Sequence, residues 1–533
     1  MFIDKPKRKL WPNLVIAFSM ANLALYSLWT FLEIHTNSLL SQYENESPYP
    51  ATYVAMLVYL LAFTFVFQKS LGLAQSRHIG KRAIGKIIVT AGCLFVLNTL
   101  RQLLRTKTGL EVFSFSHLKS KLGWGGIPIL FAIAGAVLYG VGRYRQPVLS
   151  TARFFLHLMF PVAVFHAGWV GYKLVTDDYG PAKNLESVTA SQSNHRVVFV
   201  VFDTMEERSS FSHRPAGLEL PNFDAFRKRA FYGTNVYSPG ARTQYSLTAF
   251  ITGRRIEKAV PESGNDLWVT FEGQDQAERF SNLPTVFTDA HGLGMRTALV
   301  GWYHPYCRML GYSLTSCHYF SANEPDEMRP RKSLGANLAM FGSRILGTHP
   351  KYHPVVGAYE RILQQGKQDA ANAEFNLVFL HFPVPHLPGI YDRKTHKLAY
   401  RGEAPSSEEH FWGNLALSDL ALGEIRQAME RSGVWDTSAV ILTSDHWWWH
   451  GEPTNQIYRP DGTLDYRVPL MVKLPRQQQA YDYEAPFNNV LVHDLMLDLL
   501  KNEIPDVESL KAWVDRKKET TPLYPLIKTN IYG

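Results

Sequence analysis

Long apolar segments in the first 175 residues constrain the fold of this 533-residue chain more than any other feature. A helix needs about 20 mostly apolar residues to cross a bilayer. Five segments meet or approach that length, at residues 11–32, 53–73, 84–104, 127–141 and 152–174. The first is too long for a removable signal peptide and lacks a small-residue cleavage site. We therefore predict five transmembrane helices over residues 1–175, a linker at 176–194 and a separate domain at 195–533.

Basic residues around the apolar segments indicate their orientation. Four Lys or Arg residues lie at positions 5–9, whereas the loop at 33–51 carries three Glu and no Lys or Arg. The loops after the second and fourth segments are basic, and the loop after the third, which is also basic, is the one that disagrees. Because Lys and Arg favour the cytoplasmic side, we predict a multi-pass protein of the cell (inner) membrane. Its last domain would be periplasmic or extracellular.

Other classes of protein fit the composition less well. The formal net charge is +8, but much of the basic excess flanks the apolar segments and there is no arginine-rich tract, so we predict no nucleic-acid partner. Transport is not favoured, because His157 and His166 are the exceptions in segments otherwise almost free of central ionisable residues. Cys307 and Cys317 lie close together in the external part, and an oxidising compartment favours a disulfide between them.

The residues after the linker have the pattern of an α/β domain. The continuous apolar run at 197–202 is typical of a strand buried on both faces of a parallel sheet. Further apolar runs lie at 297–302, 377–381, 439–443 and 468–472, and helical patterns at 283–290 and 411–432 alternate with them. This alternation predicts a mainly parallel sheet flanked by helices.

Acidic or histidine side chains follow four of the predicted strands. In chain order they are Asp203, then His304, then His381 with His386, and then Asp445 with His446. Each alone could be a helix cap or an ordinary loop residue. Because ligands bind at the carboxyl ends of strands in such sheets, their coincidence predicts a metal site. Mixed oxygen and nitrogen donors suit zinc or manganese.

One hydroxyl group lies where that metal could activate it. The stretch SPGARTQYSLTAFITGRR, residues 238–255, reads as a loop that enters a helix near Thr243 and stops at Gly253. The start of a helix suits a phosphate or sulfate ester, because free backbone N–H groups and the positive dipole end lie there. Thr243 could be only an N-cap. As a nucleophile it would need a base or a metal.

Five motifs resemble the sulfatase-like branch of the alkaline phosphatase superfamily. They are VVFVVFDT (197–204), SPGARTQYSLTAFITGR (238–254), HFPVPHLP (381–388), NLALSDLALGEI (414–425) and VILTSDHWWWHGE (440–452). The match runs from about residue 195 to about 500 in the family's motif order. Together with five preceding membrane segments, it resembles the membrane-anchored phosphoethanolamine transferases and lipoteichoic acid synthases.

The resemblance implies roles for individual residues. Asp203, Asp445 and His446 match the metal ligands, and Thr243 matches a metal-bound nucleophile. His386 matches the histidine that contacts an oxygen of the substrate or leaving group. The candidate substrate-binding residues are Arg242, Ser246, His304 and His381. Ser246 follows Thr243 by about one helical turn, and His304 lies where related transferases carry substrate-binding residues.

Three departures from the family pattern refine the expected function. Sulfatases convert a Cys or Ser to formylglycine, which Thr243 cannot yield, so sulfate ester hydrolysis is less favoured. Asp203 stands where the transferases usually have Glu. The tryptophans at 447–449 replace the usual glycine, either to pack or to form a lipid-facing or sugar-stacking wall.

We predict a metal-dependent transferase. It would move a phospho-substituted head group, of the phosphoethanolamine or phosphoglycerol type, from a membrane phospholipid to an envelope glycan or lipid through a phosphothreonine intermediate. The alternatives are a hydrolase of phosphate or sulfate esters and a catalytically idle binding domain.

Overall fold

The computed structural model describes residues 10–36, 48–108, 139, 143–176, 195–263, 266–321, 330–346, 348, 354–398, 408–448 and 465–526. The chain divides into two compact units. The first contains residues Met1–Thr36, Ser47–Tyr179 and Pro330–Pro350. The second contains residues Asn37–Glu46, Gly180–Arg329 and Lys351–Gly533.

The N-terminal part of the first unit is built from helices joined by short connections in the residues described. Its helices are α1 (Leu10–Ala24), α2 (Tyr26–Thr36), α3 (Pro50–Ala74), α4 (Ile79–Thr108), α5 (Arg145–Leu158) and α6 (Phe160–Thr176). Two described stretches, Pro50–Ala74 and Gln146–Thr176, are long and apolar enough to cross a membrane, and the bent pair α1–α2 would be a third. The fourth predicted segment falls almost entirely outside the described residues. The count of five therefore stays a prediction.

The first predicted span is bent by 59°. Side chains bind carbonyl groups just before the bend at Leu25: the Trp29 indole N–H donates to the Asn22 carbonyl and the Thr99 hydroxyl donates to the Leu23 carbonyl. Such partners are needed where a bend removes helical hydrogen bonds from an apolar environment. His166, on α6, has its Nδ1 3.0 Å from the Asn22 side-chain oxygen, so it contacts a neighbouring helix.

The second unit is built on one large sheet flanked by helices. Its helices are α7 (Pro221–Arg227), α8 (Thr243–Thr252), α9 (Val286–Gly292), α10 (Tyr306–Leu310), α12 (Pro354–Ala371), α13 (Glu408–Arg431), α14 (Val492–Leu500) and α15 (Val507–Lys518). A π-helical turn lies at Arg208–Ser212 and 3₁₀ turns lie at Phe280–Asn282, Gly311–Ser313 and Asn489–Leu491. Helix α11 (Leu334–Leu346) belongs to the first unit, although the sequence analysis places it in the domain at 195–533.

The eight-stranded sheet has the order β14-β2-β13-β12-β1-β9-β7-β8. Its strands are β1 (Val197–Asp203), β2 (Phe231–Gly233), β7 (Thr297–Gly301), β8 (Ser316–Tyr319), β9 (Leu377–Pro385), β12 (Ala439–Thr443), β13 (Leu470–Lys473) and β14 (Tyr481–Tyr483). The five strands from β12 to β8 are parallel, whereas β13 is antiparallel to both of its neighbours. The carboxyl ends of β1, β7, β9 and β12 therefore meet at one edge.

Smaller sheets complete the second unit. The strands β4 (Ile256–Ser263), β5 (Asp266–Phe271) and β6 (Ala277–Arg279) form an antiparallel sheet. Two-stranded sheets pair β3 (Val236–Tyr237) with β15 (Phe487–Asn488), and β10 (Tyr391–Asp392) with β11 (Lys397–Leu398).

The central strand β1 is fully buried and packs on both of its faces. Successive side chains of a strand point to opposite faces. Phe199 therefore joins the core that contains Phe250 of α8, whereas Phe202 joins the core that contains Phe411 of α13. This is the environment that the continuous apolar run predicts. The α/β fold with a mainly parallel sheet is confirmed for the second unit.

Candidate active site

Helix α8 begins at Thr243 and ends before Gly253, as the sequence predicts. Gly253 has a φ of +71°, and a Cβ atom there would lie 2.7 Å from a ring nitrogen of His493, so both the conformation and the space require glycine. Thr243 is 6% exposed. Its hydroxyl oxygen lies 3.3 Å from Asp203 Oδ2 and 3.3 Å from His446 Nε2. The structure therefore brings the predicted nucleophile to the predicted ligands.

Asp203, Asp445 and His446 form a buried group whose ligand atoms all lie within 4.8 Å of one another. Asp203 Oδ1 and Asp445 Oδ2 are buried and have no hydrogen-bond partner among the described residues. A buried carboxylate oxygen without a partner is costly. A cation between the two carboxylates would satisfy both oxygens. The site therefore fits a divalent metal held by these residues and Thr243.

Hydrogen bonds to the other side-chain atoms of Asp445 and His446 fix the direction of the atoms that face the site. His446 Nδ1 lies 2.9 Å from the Trp447 carbonyl oxygen, so Nδ1 carries the proton and Nε2 offers its lone pair to the site. Asp445 Oδ1 accepts hydrogen bonds from the backbone N–H groups of Thr204 and His446. This leaves Asp445 Oδ2 to face His446 Nε2 at 3.5 Å.

The two carboxyl groups have pKa values shifted in opposite directions. Burial alone would raise the pKa of Asp203, but nearby His386, His381 and His446 lower it overall. Burial and the adjacent Asp203 charge raise the pKa of Asp445. Two buried carboxylates this close resist ionising together unless a cation lies between them. The electrostatics thus agree with a metal site.

Strained backbone surrounds the group. Thr204, directly after β1, has a φ of +65°, and Tyr303, shortly after β7, has a φ of +68°. Residues other than glycine rarely adopt a backbone conformation with positive φ. A β-branched residue such as threonine adopts it least readily. Such strain is concentrated at functional sites. At Thr204 it aims the backbone N–H at Asp445.

His386 is half-buried and lies on the loop that follows β9. Its backbone N–H donates to the Asp203 carbonyl at 3.0 Å, and its Nδ1 contacts the Leu387 carbonyl. Nδ1 is therefore the protonated nitrogen, which leaves Nε2 for another partner. This placement fits the predicted contact with an oxygen of the substrate or leaving group.

Asn414 of α13 stabilises the His386 loop through hydrogen bonds to its backbone, a role that was not predicted from the sequence. Its side-chain N–H₂ lies 2.9 Å from the carbonyl oxygens of His386 and Pro388, and its Oδ1 accepts from the Ile390 N–H. The residue is fully buried. A buried amide within an apolar helical face was the available signal, because such a group needs partners.

His381 lies inside β9 and is fully buried. The Trp302 indole N–H donates to its Nε2 at 3.1 Å, and the Tyr306 hydroxyl lies 3.0 Å from its Nδ1. Its Nε2 is 3.6 Å from Asp203 Oδ2. The ring thus supports Asp203 from behind, whereas the sequence analysis counts it as a substrate-binding residue. The contributions of Trp302 and Tyr306 were not predicted.

His304 is buried beside the start of α8. Burial and, to a lesser extent, nearby His381 lower its pKa to about 3, although the backbone of Thr243 and Gln244 opposes the shift. The ring is therefore neutral near neutral pH. It can position the nucleophile helix, but it cannot hold the proton that a general acid needs.

The remaining candidates lie on α8 or just before it. The Ser246 hydroxyl is fully buried and donates to the Gly240 carbonyl at 3.1 Å, so it braces the loop that leads into Thr243. Arg242 is the exposed N-cap residue of the helix. An exposed cation at this entrance fits a substrate-binding role better than Ser246 does.

Two further sequence predictions concern packing and covalent structure. Trp448 stacks on Phe411 with ring centroids 4.1 Å apart, and Trp447 packs against Tyr466 at 4.5 Å, so both indoles are packed inward. Trp449 lies outside the described residues. Cys307 and Cys317 form the predicted disulfide, which joins α10 to β8.

The family model described as Sulfatase matches residues 195–501, more than half of the chain. The chain belongs to the sulfatase family. The predicted resemblance to the sulfatase-like branch of the alkaline phosphatase superfamily is confirmed. Sulfatase-family enzymes use a divalent metal, with which the buried Asp203, Asp445 and His446 are compatible. The superfamily contains esterases and transferases, which supports an enzyme. No curated protein matches the chain significantly.

Solved structures show a weak similarity. The chain is similar to lipoteichoic acid synthase LtaP from Listeria monocytogenes, with 11% identity, 59% of this chain and 76% of that chain covered, and a TM-score of 0.40. It is similar to phosphonate monoester hydrolase SpPMH from Silicibacter pomeroyi, with 15% identity, coverages of 58% and 73%, and a TM-score of 0.39. It is also similar to Ps i-CgsB in complex with k-i-k-neocarrahexaose, with 12% identity, coverages of 61% and 77%, and a TM-score of 0.44. Similarities at this level do not indicate a shared substrate.

Proposed function

We propose that this sulfatase-family protein is a membrane-anchored, metal-dependent phosphotransferase. The observation that carries the proposal is the position of the Thr243 hydroxyl, 3.3 Å from both Asp203 and His446. A threonine cannot become the formylglycine of sulfatases, so the hydroxyl itself is the nucleophile at this position. Its contact with two predicted ligands is what activation of a weak nucleophile requires.

The reaction proceeds in two displacements at phosphorus. Thr243 Oγ1 attacks the phosphodiester of a phospholipid, a P–O bond to Thr243 forms, and the P–O bond to the diacylglycerol oxygen breaks. The hydroxyl of a glycan or lipid acceptor then attacks the same phosphorus, and the bond to Thr243 breaks, so the threonine is restored. When bound, a zinc or manganese ion would lower the pKa of the hydroxyl and neutralise charge on the phosphoryl oxygens.

The chain's own residues move the protons and orient the groups. Thr243 attacks after its hydroxyl proton has passed to solvent. His386 enters as the imidazolium, with protons on Nδ1, which contacts the Leu387 carbonyl, and on Nε2. Its Nε2 gives a proton to the departing diacylglycerol oxygen and later takes one back from the acceptor hydroxyl. Arg242, exposed beside Thr243, binds the negative phosphodiester. His304 and His381 hold the start of α8 and Asp203 in place.

The membrane anchoring in this proposal is based on the apolar helices. Stretches Pro50–Ala74 and Gln146–Thr176 can each cross a bilayer. The charge distribution of the short loops supports a multi-pass protein of the cell membrane whose second unit is periplasmic or extracellular. On that side of the membrane, phospholipid donors and envelope acceptors would both be present.

Intact-mass analysis of the full-length protein in lipid nanodiscs tests the proposal. Incubation with one defined phospholipid at a time should add the mass of the donor's phosphorylated head group, and peptide mapping should place the adduct on Thr243. The Thr243→Ala variant should gain no mass. Thr248→Ala is the matched control, because its hydroxyl bonds only the backbone of the same helix.

The outcomes separate the proposal from the two alternatives. An adduct that decays only in the presence of an acceptor alcohol supports a transferase, whereas an adduct that water removes equally fast supports a hydrolase. Protein that binds no zinc or manganese and forms no adduct with any donor supports an idle binding domain and contradicts the proposal.

A further inference from the structure

Helix α11 (Leu334–Leu346) lies inside the stretch that matches the sulfatase family, yet it packs with the membrane helices. The family match covers residues 195–501, whereas residues Pro330–Pro350 belong to the first unit. Within that unit α11 packs on α3 and α2. The chain therefore returns to the membrane helices in the middle of its sulfatase-like sequence.

The contacts between α11 and α3 are specific. The Thr52 hydroxyl donates to Asn337 Oδ1 at 3.2 Å, and the Tyr59 hydroxyl donates to the Leu338 carbonyl at 2.8 Å. A Cβ atom at Gly342 would lie 2.9 Å from the Tyr59 hydroxyl oxygen, so the close approach requires a small residue. Thr52 and Tyr59 of α3 thus find partners on α11, as polar side chains must in an apolar environment.

Aromatic contacts extend the docking to α2. The Phe341 ring lies 5.6 Å from Phe31 in an edge-to-face arrangement, and it also contacts Tyr59 at 6.2 Å. The Arg344 guanidinium lies over the Phe31 ring at 4.6 Å. Such pairs are favourable beyond their buried area. Helix α11 is therefore an integral part of the first unit.

The docked residues of α3 lie in the first half of that span. Helix α3 begins at Pro50. At 1.5 Å per residue, Thr52 is about 3 Å and Tyr59 about 14 Å along the helix from its start. Half of the hydrocarbon core is about 15 Å thick. The charge distribution of the loops puts the start of α3 on the non-cytoplasmic side, so α11 lies at the depth of the leaflet on that side.

The face of α11 that points away from α3 is exposed and apolar. Gly335, Ala336 and Ala339 are exposed on this face, and Leu346 is 74% exposed. Arg344 is the only charged residue of the helix, and it is half-buried over Phe31. A water-facing helix normally carries polar residues on this face. On the neighbouring span α3, Leu61 is 65% exposed.

We propose that α11 is an interfacial membrane helix, whose exposed apolar face contacts the lipids of the non-cytoplasmic leaflet. The inference rests on the membrane anchoring in the proposed function, but not on its chemistry. A helix at the boundary of head groups and acyl chains requires an apolar face toward the lipid. Its other face must have its polar groups hydrogen-bonded, as the face of α11 that contacts α3 does. The sulfatase-like chain then has a second attachment to the bilayer besides the linker after α6.

Cysteine cross-linking tests the docking of α11 in native membranes. Full-length protein that carries Cys93→Ser, which removes the free cysteine, receives the pair Thr52→Cys and Asn337→Cys. Oxidation should join this pair, because the side chains are in contact. The matched pair Thr52→Cys and Ala339→Cys should not join, because Ala339 is on the exposed face. Equal cross-linking of both pairs, or of neither, would overturn the docking.

Fluorescence quenching tests the lipid contact. Single cysteines at Ala339, at Leu61 of α3 and at Leu420 of α13 carry an environment-sensitive dye in nanodiscs that contain lipids with brominated acyl chains. We expect blue-shifted, quenched emission at 339 and 61, and unquenched emission at 420, which is 42% exposed on the second unit. Quenching at 61 without quenching at 339 would overturn the interfacial helix alone. Absence of quenching at 61 would overturn the membrane anchor on which it rests.

Discussion

The hydroxyl oxygen of Thr243 lies 3.3 Å from Oδ2 of Asp203, so the first turn of α8 meets the end of the central strand. The two residues come from elements that pack through Phe250 and Phe199, whose rings are 5.8 Å apart. The apolar core thus fixes the distance between nucleophile and ligand. A rigid support of this kind keeps reacting groups in register.

Replacing Thr243 with alanine should abolish turnover while the fold and most of the metal binding persist. The loss should be about a thousandfold or more, as for other nucleophiles that act as part of a unit, because no other group takes over the attack. Turnover with a defined phospholipid, metal content and thermal unfolding measure the three properties. Thr248→Ala should retain activity. If Thr243→Ala keeps a sizeable part of the wild-type rate, Ser246 becomes the candidate nucleophile.

Asp445→Asn and His446→Ala should lower metal content and activity together, because both side chains are predicted to bind the metal. His386→Ala should reduce activity by about 10²–10⁴-fold while the metal stays bound, since His386 is not one of the three grouped candidate ligands Asp203, Asp445 and His446. Elemental analysis of purified protein, run beside the activity assay, gives the comparison. If His386→Ala loses metal as completely as His446→Ala, His386 is itself a ligand, and a two-metal mechanism becomes the better description.

Asn414→Ala should lower kcat without loss of metal, because the amide holds the His386 loop and touches none of the predicted ligands. Each backbone group left without its partner costs about 1–3 kcal/mol, so a lower unfolding temperature should accompany the effect. Ser418→Ala is the control, since that hydroxyl bonds the Asn414 carbonyl within the same helix. An equal loss of kcat in both variants would show that general damage to α13, and not the loop, is responsible.

Three strand ends were predictable from the sequence, because a strand buried on both faces leaves a continuous apolar run. The predicted strands at 197–202, 297–302 and 439–443 agree with β1, β7 and β12 to within one residue at each end. The polar residues that follow these runs had to meet at one edge once the strands were parallel. This is why the pattern of the sequence alone was enough to group Asp203, Asp445 and His446.

The prediction for His381 differs from the structure for a physical reason. Strand β9 runs from Leu377 to Pro385, so it continues four residues beyond the predicted end, and the register with β1 shifts between Phe202 and Asp203. His381 is therefore inside the strand and buried, not on a loop. A histidine and two prolines interrupt the apolar run, which hides the continuation from a reading of hydrophobic pattern.

The packing partners of helix α11 could not be predicted from its local sequence pattern. Its sequence, LGANLAMFGSRIL, is typical of a helix in the core of a soluble domain. Its partner Thr52 lies 285 residues away in sequence. Nothing within the segment indicates that its partners are the membrane helices. Only the assembled contacts separate an interfacial helix from a core helix.

Replacing His304 with glutamine should lower kcat/KM but leave both limbs of the pH–rate profile in place. Burial lowers the pKa of this ring to about 3, and the nearby His381 acts in the same direction. A group whose folded pKa lies that far below neutral stays unprotonated as the pH rises through the working range, so its titration cannot shape the profile. A bound cation would disfavour its protonation further. A displaced or missing limb in the variant would show that His304 does carry a catalytic proton.

Replacing Ala339 with glutamate should lower transfer from phospholipid in bilayers more than it lowers turnover of a water-soluble phosphodiester. The substitution puts a charge on the exposed face of α11. At a bilayer centre an acidic side chain costs about 2.5–3.5 kcal/mol, and less nearer the interface, so the helix should leave the leaflet while the residues of the active site are unchanged. Ala339→Leu is the matched control, because it enlarges the side chain but stays apolar, and it should leave both rates near wild type. Equal losses with both substrates in Ala339→Glu would mean that the helix supports the fold and does not bring the enzyme to its lipid donor.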